Sequence, residues 1–136
     1  MALTFPALRH FRDASLLEAR GRRENADQLY GLAAECALKE AMSGLGLPLD
    51  AGGIDLERRY YHHVELFWDT ATAFLSGRPG ASLLAVLGGD RPFADWHVDQ
   101  RYRLAPVAPA ALARHADGAA RAVRVLDAAR LQGHLL

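Results

Sequence analysis

The sequence predicts an all-α protein, a bundle of four to five helices in up-down order. Three observations carry this expectation. Ala and Leu, both strong helix formers, dominate the chain, while β-branched residues are few, with only three Thr. Apolar residues recur at helical spacing through several long windows. Glycine- and proline-rich stretches such as SGLGLPLDAGG and SGRPG separate those windows as loops. A chain of 136 residues fits one domain, residues 1–136, and buries enough surface for a core without staples.

The first helix is expected over Ala7–Ala19, ending before Gly21. The second is the clearest, over Arg23–Met42, with Leu29, Leu32, Ala33, Cys36, Ala37 and Ala41 at the helical period. Glu35 lies four residues before Lys39, the favourable orientation for an ion pair along a helix. A third helix is expected over Leu56–Leu75, with Asp55 as its cap. Its apolar stripe runs through Leu56, Tyr60, His63, Val64, Phe67, Ala71, Phe74 and Leu75. ASLLAVLGG reads as a short buried helix in preference to a strand. The last helix is expected over Pro109–Leu131, with Pro109 tolerated in its first turn. Its apolar side carries Ala111, Leu112, His115, Ala119, Ala122, Val125, Leu126 and Ala129.

Composition narrows function by exclusion. The single Cys36 rules out an intrachain disulfide and a cysteine zinc cluster, and its apolar run makes it a structural thiol. No apolar run reaches the roughly 18 residues of a membrane span. MALTFPALRHFRD lacks the apolar core of a signal peptide, so the expectation is a bacterial cytoplasmic protein. Fifteen of the 16 basic residues are Arg, which reads first as the coding bias of a GC-rich genome. Neither HExxH, GxSxG nor GK[ST] occurs, so no metal, cofactor, serine nucleophile or phosphate loop is expected.

Three segments in order carry a family resemblance. GRRENADQLYGLAAECALKEAM has small residues and a Leu ahead of an Ala-x-Glu-Cys-x-Leu-Lys run. RYYHHVELF has a His followed shortly by a Leu, and WHVDQRYR has an Arg-Tyr step before the last helix. Together, over about residues 12–129, they resemble the HEPN-domain family. The resemblance implies a helical bundle, often a homodimer, and no cofactor. Some members of that family are metal-independent ribonucleases of toxin–antitoxin or defence systems. Others bind nucleotides, partner nucleotidyltransferases, or have lost catalysis.

The family's nuclease signature is an Arg, four to six residues, then a His. Arg58 and His63 have that form, with His62 adjacent. RNA cleavage without metal needs a base, an acid and positive charge on the phosphorane-like transition state, and His and Arg supply them. In a two-fold dimer one His would act as base and its copy as acid. The placement departs from the family, whose catalytic motif lies toward the last helix. On a helix, positions five apart also differ by about 140°, so Arg58 and His63 would not share a face. The structural alternative makes His63 a core histidine bonded to a backbone or carboxylate group.

A second candidate groups His97, Asp99, Arg101 and Tyr102 as a polar cluster beside His62 or His63 that binds a nucleotide or phosphate. Its structural alternative has Trp96 anchoring the core and Arg101 paired with a Glu or Asp of the second helix, such as Glu35. A third is the basic stripe Arg114, Arg121 and Arg124 of the last helix, with Arg103 upstream, a footprint for a phosphate backbone or a solvated face with an Asp117–Arg121 pair. The net charge of zero conceals a polarity: residues 44–100 sum to −4 and residues 101–136 to +4. The leading expectation is a nucleic-acid- or nucleotide-associated accessory protein with an antitoxin or nucleotidyltransferase partner. The alternatives are a ribonuclease and a non-catalytic interaction module.

Overall fold

The computed structural model describes residues 4–47, 62–77, 80–102 and 105–133. Among these the chain is helical and contains no strand, in accord with the expected all-α bundle. Helix α1 spans Thr4–Ala19, α2 Arg23–Gly44, α3 Val64–Leu75, α4 Leu83–Leu87 and α5 Pro109–Leu131, with a 3-10 turn over Val98–Tyr102.

Helices α1 and α2 form a hairpin. Gly21, at φ +76°, takes the left-handed conformation that closes α1. The Arg22 amide then reaches back to the Leu17 carbonyl at 2.8 Å. The Tyr30 hydroxyl donates to Glu18 Oε1 at 2.6 Å and ties the pair.

Helix α2 is the hub, packing on α1, α3 and α5. The expected stripe is therefore too narrow. Ala26, Tyr30, Ala34, Leu38 and Met42 are buried as fully as Ala33, Ala37 and Ala41, because partners approach from several sides. Helix α5 buries the expected face: Leu112, His115, Ala119, Ala122, Val125, Leu126 and Ala129.

Two expectations about the third helix change. It begins at Val64, and His62 and His63 precede it; His63 is its N-cap residue, in extended backbone at φ −77° and ψ 177°. Leu56, Arg58, Tyr60 and the proposed Asp55 cap lie outside the described residues. The apolar stripe continues from Val64 through Phe67, Ala71 and Leu75 as expected.

The segment 88–97 fastens the bundle. Phe93 and Trp96 are each 1% exposed and enter notches left by helical glycines. A Cβ on Gly118 would lie 2.7 Å from Phe93, and one on Gly31 would overlap the Trp96 indole. The Trp96 indole N–H donates to the Asp27 carbonyl at 3.0 Å. Three arginine–aspartate pairs reinforce the segment: Arg121–Asp90, Arg91–Asp69 and Arg114–Asp95. Exposed pairs of this kind each contribute about 0–1 kcal/mol. The buried aromatic rings therefore do most of the fastening.

Candidate functional site

Two histidine–carboxylate groups emerge from this packing. The first lies where α2 meets the start of α3. Glu35 points from α2 toward His63, and His63 Nδ1 lies 2.8 Å from Glu35 Oε1. Glu35 Oε2 accepts from Lys39 Nζ at 3.2 Å, one helical turn along. The Glu35 hydrogen bond raises the His63 pKa above 6.5, against the opposing effect of burial. The His63 side chain remains 43% exposed. With Nδ1 bonded to the carboxylate, Nε2 is the nitrogen left for a ligand.

His63 is thus no member of the apolar stripe. It stands off the helix because its extended backbone turns the ring toward α2. Its carbonyl accepts from the Leu66 and Phe67 amides at 3.1 and 2.8 Å. No side chain caps α3, so its N-terminal partial positive charge lies beside the ring. From α1, His10 feels the same Glu35 carboxylate, while burial and Arg9 lower its pKa. Cys36, next to Glu35, has its thiol pushed up to about 11 by burial and by the Glu35 charge. It is therefore protonated at neutral pH and a poor nucleophile. His62 is half-buried beside His63. Arg58, the expected partner in catalysis, lies outside the described residues.

The second group was not anticipated from the sequence. His115 of α5 is 1% exposed and Asp27 of α2 is 2% exposed. His115 Nδ1 lies 2.5 Å from Asp27 Oδ1. Nε2 lies 2.8 Å from Asp95 Oδ1. Asp95 in turn accepts from Arg114 at 2.9 Å. Phe93 stacks on the imidazole at 5.4 Å and 12°. With a carboxylate at each nitrogen, the ring donates twice and is an imidazolium. Burial opposes that charge, but the bonds to Asp27 and Asp95 outweigh it and raise the His115 pKa above 6.5. Burial likewise pushes Asp95 up, and His115 and Arg114 override it, holding the carboxyl below 3.8.

The other expected site residues are scattered. His97 is exposed, and its Nδ1 accepts from the Asp99 amide at 3.1 Å. Its carbonyl accepts from Gln28 at 2.9 Å. Arg101 and Tyr102 lie in the 3-10 turn; Tyr102 is 74% exposed, and the Arg101 side chain falls outside the described residues. Glu35, one of the second-helix carboxylates considered for Arg101, holds Lys39 and His63. The basic stripe of α5 is largely neutralised. Arg114 is committed to Asp95, while Arg121 bonds both Asp90 oxygens and the Leu87 carbonyl. Arg121 also meets Asp117 at 3.1 Å, the pair expected from their i,i+4 spacing. Arg124 is exposed and makes no ion pair with a described residue. Arg103 lies outside the described residues. Among the described residues, Asp95 and Asp90 of the acidic middle thus pair with Arg114 and Arg121 of the basic end.

Among the described residues, no helix is long and apolar enough to cross a membrane, and no cluster of His, Cys, Asp or Glu has the geometry to hold a metal ion. No family model matches the chain, nor does any curated protein or solved structure.

Proposed function

We propose that this chain is a HEPN-like, nucleic-acid- or nucleotide-associated protein whose contact with phosphate is centred on His63 at the α2–α3 junction. The observation that carries this reading is the Glu35–His63 pair, one ring nitrogen held at 2.8 Å and the ring half-exposed. A carboxylate fixes the ring's orientation and favours its charged form. The imidazolium then offers a charged donor to a phosphate oxygen. The open N-terminus of α3 adds partial positive charge on the same side. The paired arginines of α5 argue for this junction over the last helix as the contact.

The same pair favours a catalytic version of this reading, a metal-independent ribonuclease. His63 in its charged form would donate a proton to the leaving 5′-oxygen. The same residue of a second copy, in its neutral form, would take the 2′-hydroxyl proton. Arg58 would stabilise the phosphorane charge. A homodimer, a bacterial cytoplasmic setting and an antitoxin or nucleotidyltransferase partner belong to this proposal.

The test is binding and cleavage of a fluorescent single-stranded RNA in EDTA by the wild-type protein, His63→Ala and Arg58→Ala. The proposal expects salt-dependent binding that weakens about tenfold in His63→Ala, with any cleavage abolished in both variants. Binding that is unchanged in His63→Ala would move the contact elsewhere. Absence of both binding and cleavage in the wild type would leave a protein-interaction module.

A further inference from the structure

A pocket of about 260 Å³ opens beside the buried His115, where the N-terminal part of α2 faces the start of α5. That volume equals roughly nine waters at ~30 Å³ each, the scale of a small organic molecule. Its polar lining is Glu24, Asp27, Asp95, Gln100 and His115; the turn 105–108 and Ala111 supply an apolar wall.

The hydrogen bonds already made define what the pocket lacks. Asp95 uses one oxygen on His115 and the other on Arg114. Both His115 nitrogens are taken. Gln100 donates to the Asp95 carbonyl at 3.2 Å. Asp27 spends Oδ1 on His115, and Glu24 spends Oε2 on the Val107 amide at 3.2 Å. The second oxygens of Asp27 and Glu24 bond no described residue. Asp27 is 2% exposed, so the pocket it lines is where that second oxygen meets solvent. The oxygens left open are therefore carboxylate acceptors, that of Asp27 on a buried side chain and that of Glu24 on an exposed one, beside one remaining N–H of Gln100. A carboxylate oxygen facing a pocket is best satisfied by a donor bearing positive charge.

We propose that this pocket is a binding site for a small organic cation, its ammonium or amidinium group seated between Asp27 and Glu24 and its apolar body against Ala111 and the turn 105–108. The alternative ligand sign is disfavoured by charge. Three carboxylates line the cavity against one imidazolium, and Arg114 is engaged on the outer oxygen of Asp95. The start of α5 contributes about half a positive charge, and Pro109 in its first turn removes one of its donors. The site stands apart from His63, so it stands or falls independently of the phosphate-directed reading.

The test uses three probes of nearly one shape: benzylamine, benzyl alcohol and benzoate. Binding to the full chain is followed by the indole N–H resonance of Trp96, which is bonded to the Asp27 carbonyl. Saturable shifts are expected with benzylamine, with affinity at least tenfold above benzyl alcohol and no binding of benzoate. Glu24→Gln keeps the acceptor for Val107 while removing the charge. It is expected to weaken benzylamine about tenfold, with an unaltered spectrum in the absence of probe. Ala111→Phe is expected to abolish binding by filling the wall, and His63→Ala to leave it unchanged. Equal affinity for the amine and the alcohol, tighter binding of benzoate, no saturable shift with any probe, or indifference to Glu24→Gln would each overturn the proposal.

Discussion

The two histidine–carboxylate groups differ in one respect that decides what each can do. His115 is buried and spends both nitrogens on carboxylates, Asp27 inside the bundle and Asp95 at its edge, while His63 spends one and keeps the rest of its ring at the surface. A ring bonded on both sides is a fastener. It joins α2, α5 and the segment 88–97, and has no nitrogen left to meet a ligand. A ring bonded on one side is oriented but available. Both are held toward the charged form. The shift in proton affinity alone therefore does not distinguish a structural histidine from a functional one; the count of occupied nitrogens does.

The comparison breaks most visibly in stability. Removing one partner of a buried ion pair leaves an uncompensated charge and costs about 3–5 kcal/mol. His115→Ala is expected to fall in that range, measured by urea unfolding. His63→Ala is expected to cost no more than about 1 kcal/mol, as for other exposed pairs. Equal losses would erase the distinction between fastener and surface dyad.

The pH dependence of folding is the next largest effect. A histidine whose pKa is raised on folding stabilises fully below its unfolded value of about 6.5 and loses that contribution as pH rises through the folded value. The Asp95 carboxyl, held below 3.8, acts oppositely: its contribution is present above about 3.8 and is lost as acid protonates it. The urea midpoint is therefore expected to fall as the pH rises above about 6.5, and this slope is expected to flatten in His115→Gln. A slope unchanged in that variant would assign the titration to another group. His63 contributes with the same sign but less, because water screens it.

The smallest effect sharpens the other side. In Glu35→Gln, the His63 pKa is expected to drop back toward 6.5, followed by the ring proton shifts in an NMR titration. The cost in stability is expected to stay below about 1 kcal/mol. An unmoved titration would mean that Glu35 does not govern the ring.

Much of this fold was legible because helical period and punctuation agree. The expected bounds of α5 match those observed, α2 runs only two residues longer, to Gly44, and α1 starts earlier, at Thr4. The third helix was expected to run through His62 and His63, but it begins at Val64. Periodicity does not register the extended backbone at His63 from which the helix starts. The candidate site was less legible. The sequence singled out His63 but placed it in the core, since its exposure depends on where Glu35 of another helix lies. Asp27 and His115 went unmarked, although each carried a signal. Asp27 shares its face of α2 with Gly31, Ala34 and Leu38, and His115 sits among the alanines of α5. A carboxylate and an imidazole, each alone on an apolar face, are candidates for one another. Only tertiary packing then brings Asp95 to the other nitrogen. The arginine stripe misled because its partners, Asp90 and Asp95, come from an irregular segment whose course no periodicity fixes.

Lys39 is the chain's one lysine, and it sits 5% exposed on the central helix. A lysine-specific protease therefore has a single address, shut inside the folded bundle. Cutting there needs a stretch of α2 to leave its neighbours, and α1, α3 and α5 all pack on α2. Local fraying at the ends of the molecule does not expose that bond, whereas global opening does. The chain thus carries a built-in clock: its half-life under such a protease counts excursions of the whole fold, without label or denaturant.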